Sequence, residues 1–201
     1  MAESIKIEIF KKKDAEDFSK SLADPASRLE TGGAAAMCAA LSASLLARAA
    51  ALTEQSGGEG ERLAYIVRNA EILRGYMVHL IDEDVRCRGP LRRALKEGDA
   101  QKIDAASESA VSICAEIVNM MSSCLELAAE LAELCPGSAL HYVKECAELA
   151  MAAVRSAMSY ILNMSAASAD ETYRFVIRRE NELTLQRQEE ISTRILAAER
   201  K

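Results

Sequence analysis

Residues 18–53 read FSKSLADPASRLETGGAAAMCAALSASLLARAAALT and carry the clearest structural signal in this chain. It contains a short amphipathic segment, a loop with a proline, a Thr-Gly-Gly step and a long run of small and apolar residues. Thr31 is a good N-cap, and Gly32 and Gly33 lack the Cβ atoms that would keep a ligand off the first helical turn. The stretch therefore predicts a helix over residues 33–55 that neighbouring helices can approach closely.

The start of this helix allows two interpretations. The N-terminus of a helix presents unpaired N–H groups and a partial positive charge, so it can hold a carboxylate or a carbonyl oxygen of a ligand. Alternatively, the two glycines serve only to begin a helix.

The composition is that of a helical protein with one domain. The chain has 201 residues, of which 50% are hydrophobic and only 4% aromatic, with three prolines and no tryptophan. Strong helix formers dominate, and no run of β-branched residues is long enough to predict a strand. We expect an all-α protein in which residues 1–201 form a single domain.

Glycines and prolines divide the chain into long helices joined by short connections. Short connections favour antiparallel neighbours, so we expect an up-and-down helical bundle of five to six long helices. We expect the last helix, which carries many charges, to lie over the bundle or against a second subunit. The helices are predicted at residues 13–23, 33–55, 61–88, 99–134, 138–167 and 171–198, with a helix end at Gly89-Pro90 and a short basic helix over 91–96.

Charge and cysteine usage exclude several classes of protein. The net charge of −6 and the absence of a contiguous basic patch argue against nucleic-acid binding. We find no signal peptide and no stretch that reaches the charge-free length of a membrane span, so we expect a cytoplasmic protein without a membrane partner. The six cysteines form no C-x-x-C pair, and neither His79 nor His141 lies in a ligand pattern, so we expect free thiols and no metal site.

Two neighbouring carboxylates, Asp82 and Asp84, point to different faces of the third helix because they are two residues apart. Asp82 shares a polar face with Arg86, and we expect a solvated ion pair between them. Asp84 continues an apolar stripe formed by residues 73, 77 and 80. A carboxylate in such a stripe needs a partner and tends to have a raised pKa, so Asp84 is a candidate general base or a ligand for a cationic substrate. The alternative is that the stripe ends earlier and that Asp84 simply pairs with Arg88.

A row of small polar residues on the fifth helix is a further candidate. Ser156, Ser159 and Asn163 recur at three- and four-residue spacing on one face. Such residues either let another helix approach or offer hydrogen bonds to a polar ligand.

In this order, the segments resemble the cyclodeaminase/cyclohydrolase family, which includes the deaminase domain of formiminotransferase-cyclodeaminase. Residues 18–53 resemble the family's opening helix, its T-P-G-G-G-S step and its Ala-rich helix. LIDEDVRCRG partly matches L-x-x-x-D-x-x-A-[FY], and SYILNM, which begins at Ser159, resembles N-V-x-x-N-L. The resemblance spans most of the chain.

This resemblance implies an all-α homodimer that binds a tetrahydrofolate derivative as its substrate and holds no permanently bound cofactor. It assigns a catalytic role to Asp84 and folate contacts to Thr31, Gly32 and Gly33. Asn163 matches the second asparagine of the later motif, and Ser159 replaces the first. The family's Ser-Asp pair is absent, and His141 stands near its position as a candidate replacement for the aspartate.

Two family reactions follow from the resemblance. Cyclohydrolase members hydrolyse 5,10-methenyltetrahydrofolate to 10-formyltetrahydrofolate, and cyclodeaminase members close a 5-formimino group with release of ammonia. We expect the first, because cyclodeaminases usually accompany a transferase domain that this sequence does not contain. The altered motifs leave open a non-catalytic protein that keeps the folate pocket, or a purely structural helical dimer. An active site requires Asp84 to be sheltered beside a cavity that the paired glycines open.

Overall fold

The computed structural model describes residues 9–58, 60–166 and 168–199. Over these residues the chain forms six α-helices and no strand, which confirms the all-α prediction. Consecutive helices from α2 to α6 pack against each other and are joined by at most five residues, as in an up-and-down bundle. The helices are α1 (Ala15–Ala23), α2 (Thr31–Gln55), α3 (Glu61–Glu97), α4 (Ala100–Leu134), α5 (Gly137–Ser165) and α6 (Glu171–Ala197), preceded by a 3-10 turn at Phe10–Lys12.

Helix α2 lies at the centre of the bundle and packs against α3, α4 and α5. Its buried face consists almost entirely of glycine, alanine and serine, as the sequence predicted. Side chains this small allow the neighbouring helices to approach closely, and the larger apolar residues of those helices fill the core. Leu46, Met77, Ile117 and Met151 are among the fully buried side chains contributed by the four helices.

The predicted end of α3 at Gly89-Pro90 is wrong, because the helix continues through both residues. Pro90 removes one backbone hydrogen bond but is compatible with a continuing helix where tertiary contacts hold the following turn. Leu91 supplies such contacts by packing with Ala106 and Ala110 of α4. The helix ends instead at Gly98, whose φ of 69° is the left-handed conformation typical of a helix C-terminus. The separate basic helix predicted over residues 91–96 is therefore the last part of α3.

The start of α2 also differs from the prediction. Thr31 is the first helical residue rather than the N-cap, a position that Glu30 takes without a side-chain capping bond. The helix consequently includes Gly32 and Gly33 in its first turn. Glu30 makes no capping bond because its carboxylate is engaged in the tertiary contacts described below.

Two helices, α2 and α4, are long and apolar enough to span a membrane by length and composition alone. About half of each apolar segment is buried inside the bundle. Core helices of soluble bundles have the same properties, so this observation alone does not indicate a membrane protein.

Candidate functional site

Asp84 is fully buried where α3 faces the beginning of α2. It continues the stripe of Leu73, Met77 and Leu80, all of which are buried, so the predicted apolar face runs through the carboxylate. A buried carboxylate needs compensating partners. The structure supplies two, one from each side.

The first partner is the backbone of α2. The N–H of Gly33 donates a hydrogen bond to Asp84 Oδ2 at 3.1 Å. Gly32 makes this approach possible, since a Cβ atom there would lie 2.0 Å from Asp84 Oδ1. The paired glycines therefore bring the first turn of α2 against a carboxylate of the same chain.

The second partner is Arg88, one turn further along α3. Its Nε donates to Asp84 Oδ1 at 2.9 Å, and its guanidinium carbon lies 3.9 Å from the centre of the Tyr160 ring on α5. The side chain is only 2% exposed, and its Nη2 atom has no hydrogen-bond partner. Asp84 thus has both properties that the sequence offered as alternatives: it lies in the buried stripe and pairs with Arg88.

The contacts continue outward to the surface. Arg88 Nη1 donates to one oxygen of Glu30, and Arg92 Nη2 donates to the other. Glu30 and Arg92 are both partly exposed, so the row from Asp84 to Arg92 leads from the core to solvent. Carboxylates and guanidiniums alternate along this row, and each of the two acids is balanced by a base.

Burial and ion pairing act in opposite directions on these groups. Burial raises the pKa of Asp84, while Arg88 and the Gly33 N–H partly oppose the shift. For Arg88 burial acts to lower the pKa, but Asp84, Tyr160 and Glu30 raise it above its ordinary value. Burial also raises the pKa of Tyr160 to about 12 and that of the nearby Cys114 to about 12. A carboxylate with a raised pKa is a stronger base than an ordinary one and suits proton transfer.

The cavity predicted beside Gly32 and Gly33 is filled by the protein itself. A Cβ atom on Gly32 would lie 2.4 Å from Asp84 Cγ and 2.7 Å from Arg88 Nη2. The shelter predicted for Asp84 is present, but the hollow is not. The sequence could not show this, because spacing does not reveal how far an arginine side chain reaches.

Asp82 is not the solvated ion-pair partner that the sequence predicted. It is buried and accepts hydrogen bonds from the N–H groups of Phe10, at 2.8 Å, and Lys11, at 3.4 Å. Arg86 pairs with Glu83 instead. Asp82 therefore fixes the 3-10 turn onto α3, and no local pattern could have shown a partner seventy-two residues away.

The remaining predicted site residues are divided between two regions. Thr31 is exposed beside Gly32 at the start of α2, and Ser159 and Asn163 are exposed near Tyr160 on α5. His141 is exposed in the first turns of the same helix, with its ring 3.8 Å from that of Tyr142. At 1.5 Å per residue, nineteen residues separate His141 from Tyr160 by roughly 28 Å. Within one chain, His141 does not reach Asp84.

Among the described residues no group of three histidine, cysteine or acidic side chains could hold a metal ion. All six cysteines are free thiols.

Comparison with known proteins decides the family. Residues 14–182 match the sequence profile of formiminotransferase-cyclodeaminase. The chain belongs to this family. No curated protein sequence matches it closely. The fold is similar to the crystal structure of a formiminotetrahydrofolate cyclodeaminase from Thermotoga maritima, with a TM-score of 0.81, 17% identity and coverage of 92% of this chain and 94% of that chain.

The third-helix motif L-x-x-x-D-x-x-A-[FY] can now be compared with the structure. The aspartate of the third-helix motif is Asp84, and Arg88 stands where the motif has an aromatic residue. Helix α3 is continuous at this position, so no helix break accounts for the loss of the aromatic residue. The sequence did not indicate that Glu30 and Tyr160 belong to this site. Glu30 is fifty-eight residues from Arg88 in the chain, and Tyr160 lies on α5 whereas Arg88 lies on α3. Only the four-residue step from Asp84 to Arg88 was visible.

Proposed function

We propose that this chain is an enzyme of folate one-carbon metabolism that hydrolyses 5,10-methenyltetrahydrofolate to 10-formyltetrahydrofolate. Family membership supports a one-carbon folate as the substrate. The observation that carries a catalytic role is the buried carboxylate of Asp84, held against the glycine-rich start of α2. The folate is a substrate, and the proposal requires no resident cofactor.

The chemistry explains why such a carboxylate is useful. The methenyl bridge of the substrate is a planar N–C–N cation, and water adds to its carbon. The adduct loses one proton, and the remaining hydroxyl proton moves to N5 as the carbon–N5 bond breaks, which leaves the formyl group on N10. A carboxylate in a dry site attracts the cation and, with its raised pKa, accepts the proton of the attacking water. Asp84 would perform both tasks once Arg88 moves off it, because in this structure Arg88 and Asp84 together fill the space beside Gly32 that the substrate needs.

Positions for the other candidate residues follow from this role. Thr31, Gly32 and Gly33 would contact the folate beside Asp84. Ser159 and Asn163 would offer polar contacts at the end of α5 that carries Tyr160. His141 lies too far along α5 to join them within one chain, so it would take part only if a second subunit brought it there.

The cyclodeaminase reaction is the alternative on the same residues, since its product is the same methenyl cation. It is the reaction named for the Thermotoga maritima structure. A test with 5-formiminotetrahydrofolate would distinguish the two by release of ammonia.

A non-catalytic folate-binding or structural dimer is a second candidate, which one observation favours. Arg88 already pairs with Asp84 and neutralises it. A carboxylate permanently engaged in this way would neither attract the substrate cation nor accept a proton.

Matched carboxamide variants test the proposal. We expect purified protein to remove the near-ultraviolet absorbance of methenyltetrahydrofolate and Asp84→Asn to lower the rate by about 10²–10⁴-fold, the range for a lost acid/base group. Asp82→Asn is the control, because Asp82 is also buried but bonds the backbone of Phe10. We expect it to retain most activity. Equal loss in both variants contradicts the role of Asp84, and folate binding without turnover selects the non-catalytic alternative.

A further inference from the structure

The guanidinium of Arg88 occupies a position that suits any planar N–C–N cation. Asp84 Oδ1 accepts its Nε at 2.9 Å, and the Tyr160 ring lies 3.9 Å below its central carbon. A carboxylate at the edge and an aromatic ring on the face are the two partners that such a cation prefers. An amidinium has the same planar N–C–N unit and the same charge, so the position fits it equally well.

Arg88 is incompletely satisfied in this position. Its Nη2 atom is buried and has no hydrogen-bond partner, whereas most buried donors in proteins have one. The atom points toward Gly32, where a Cβ atom would lie 2.7 Å away. A smaller cation would avoid burying this donor. Another cation therefore displaces Arg88 from this position at a lower free-energy cost than it would displace a fully hydrogen-bonded arginine.

Arg88 also has a second carboxylate within reach. Its Nη1 donates to Glu30, which is 43% exposed in contrast to the fully buried Asp84. An arginine that leaves Asp84 can keep this outer partner and place its freed N–H groups in water. Asp84 would keep the N–H of Gly33. Neither charge would be left without a partner once another cation is bound.

We propose that Arg88 determines specificity by competing, as a cation built into the chain, with an amidinium ligand for the site formed by Asp84 and Tyr160. The inference rests on the proposed function only for the identity of the natural ligand, whose methenyl bridge is such a cation. Removing Arg88 opens the site to small amidinium ions from solution.

The first experiment uses acetamidinium as the probe and needs no turnover. Isothermal titration of the full chain is expected to show at least tenfold tighter binding to Arg88→Ala than to the wild type. The gain is lost in the double variant Arg88→Ala/Asp84→Asn. Arg92→Ala is the matched control, because it removes the same charge from the same row but lies outside the site, and it shows no gain.

Three results overturn the inference: no gain in Arg88→Ala, an equal gain in Arg92→Ala, or a gain that persists without Asp84. If Arg88→Ala does not fold in plain buffer, refolding with acetamidinium replaces the titration. Recovery of folded protein that requires Asp84 then supports the inference, and failure to recover overturns it.

Kinetics separate this role from a structural one. If the wild type hydrolyses methenyltetrahydrofolate, Arg88→Ala is expected to lower KM at least tenfold, whereas loss of a structural contact would lower kcat without improving KM. An unchanged or raised KM overturns the inference. Absence of turnover in every variant contradicts the proposed function alone, because the acetamidinium result stands independently of it.

Discussion

Gly32 is the residue at which the site tolerates least change. An alanine Cβ there would lie 2.0 Å from Asp84 Oδ1 and 2.7 Å from Arg88 Nη2, so the buried ion pair would have to be displaced to make room for it. We predict that Gly32→Ala lowers the free energy of unfolding by about 1–3 kcal/mol, the usual cost of overpacking a core. Urea unfolding measures it.

Gly75 provides the matched control. It is exposed in the middle of α3, and a Cβ atom there meets nothing within 4 Å. Gly75→Ala should therefore raise stability by about 0.5–1 kcal/mol through helix propensity. A Gly32→Ala protein as stable as wild type would show that the contact with Asp84 is loose.

The Cys114 thiol should be unreactive in the folded protein. It is fully buried, and burial raises its pKa to about 12, so roughly one molecule in ten thousand carries the thiolate at pH 8. We predict that alkylation at pH 8, mapped by mass spectrometry, labels Cys38 and Cys135 well before Cys114. Both reference thiols are only partly buried. Labelling of Cys114 at the rate of Cys135 would contradict the burial of this site.

For individual residues, the sequence predicted only those features that follow from helical periodicity. The burial of Asp84 followed from its place in a 3.6-residue stripe, and Arg88 followed as a candidate partner from the step of four. Asp82 shows the limit. It lies beside charged neighbours in sequence, yet it is buried under the 3-10 turn at Phe10–Lys12, seventy-two residues earlier in the chain. Long-range hydrogen bonds leave no local pattern, so Asp82 and Glu30 could not be assigned.

At the element scale, the continuous α3 is the clearest departure from the sequence prediction. A proline inside a helix costs about 3 kcal/mol because it removes a hydrogen bond and crowds the preceding turn. The turns after Pro90 are held by Leu91 in a small cluster with α4 and by Arg92, which bonds Glu30 and the Arg28 carbonyl. Helix boundaries read from proline alone fail where such tertiary contacts outweigh the local cost.

Replacing this proline should strengthen the helix. Pro90 is exposed, so its ring contributes little to the core. We predict that Pro90→Ala raises the free energy of unfolding by about 1–3 kcal/mol, because an N–H group is restored to a helix that already continues through the position. Thermal and urea unfolding both measure the change. Loss of stability would instead indicate that α3 needs a bend at residue 90.

At the scale of the whole molecule, the order and number of helices were predictable because the connections carry strong signals. Asp99 and Asp170 cap α4 and α6 through their side chains, and Gly98 ends α3. The role of α6 was not predictable in detail. Of the described residues of α6, Ile195 is the only buried apolar one, while Gln188 and Ser192 supply the rest of the buried face.

The outer face of α6 leads to a prediction about assembly. Phe175, Val176 and Leu183 are 70%, 42% and 51% exposed, and seven- or eight-residue steps place them on one side of the helix. Apolar side chains grouped in this way are typical of surfaces that bind another protein. A second copy of the chain is the partner that the family resemblance implies. We therefore predict a homodimer that buries this face.

Charge substitutions on this face test that prediction. Phe175→Glu and Leu183→Glu should shift the protein from dimer to monomer in sedimentation velocity, because each would bury a carboxylate without a partner. Ile72→Glu is the control, since Ile72 is 67% exposed on α3 and belongs to a different surface. A dimer that survives both α6 changes but dissociates in Ile72→Glu would place the interface on α3. Retained turnover in a monomeric Leu183→Glu would show that one chain alone forms the complete site.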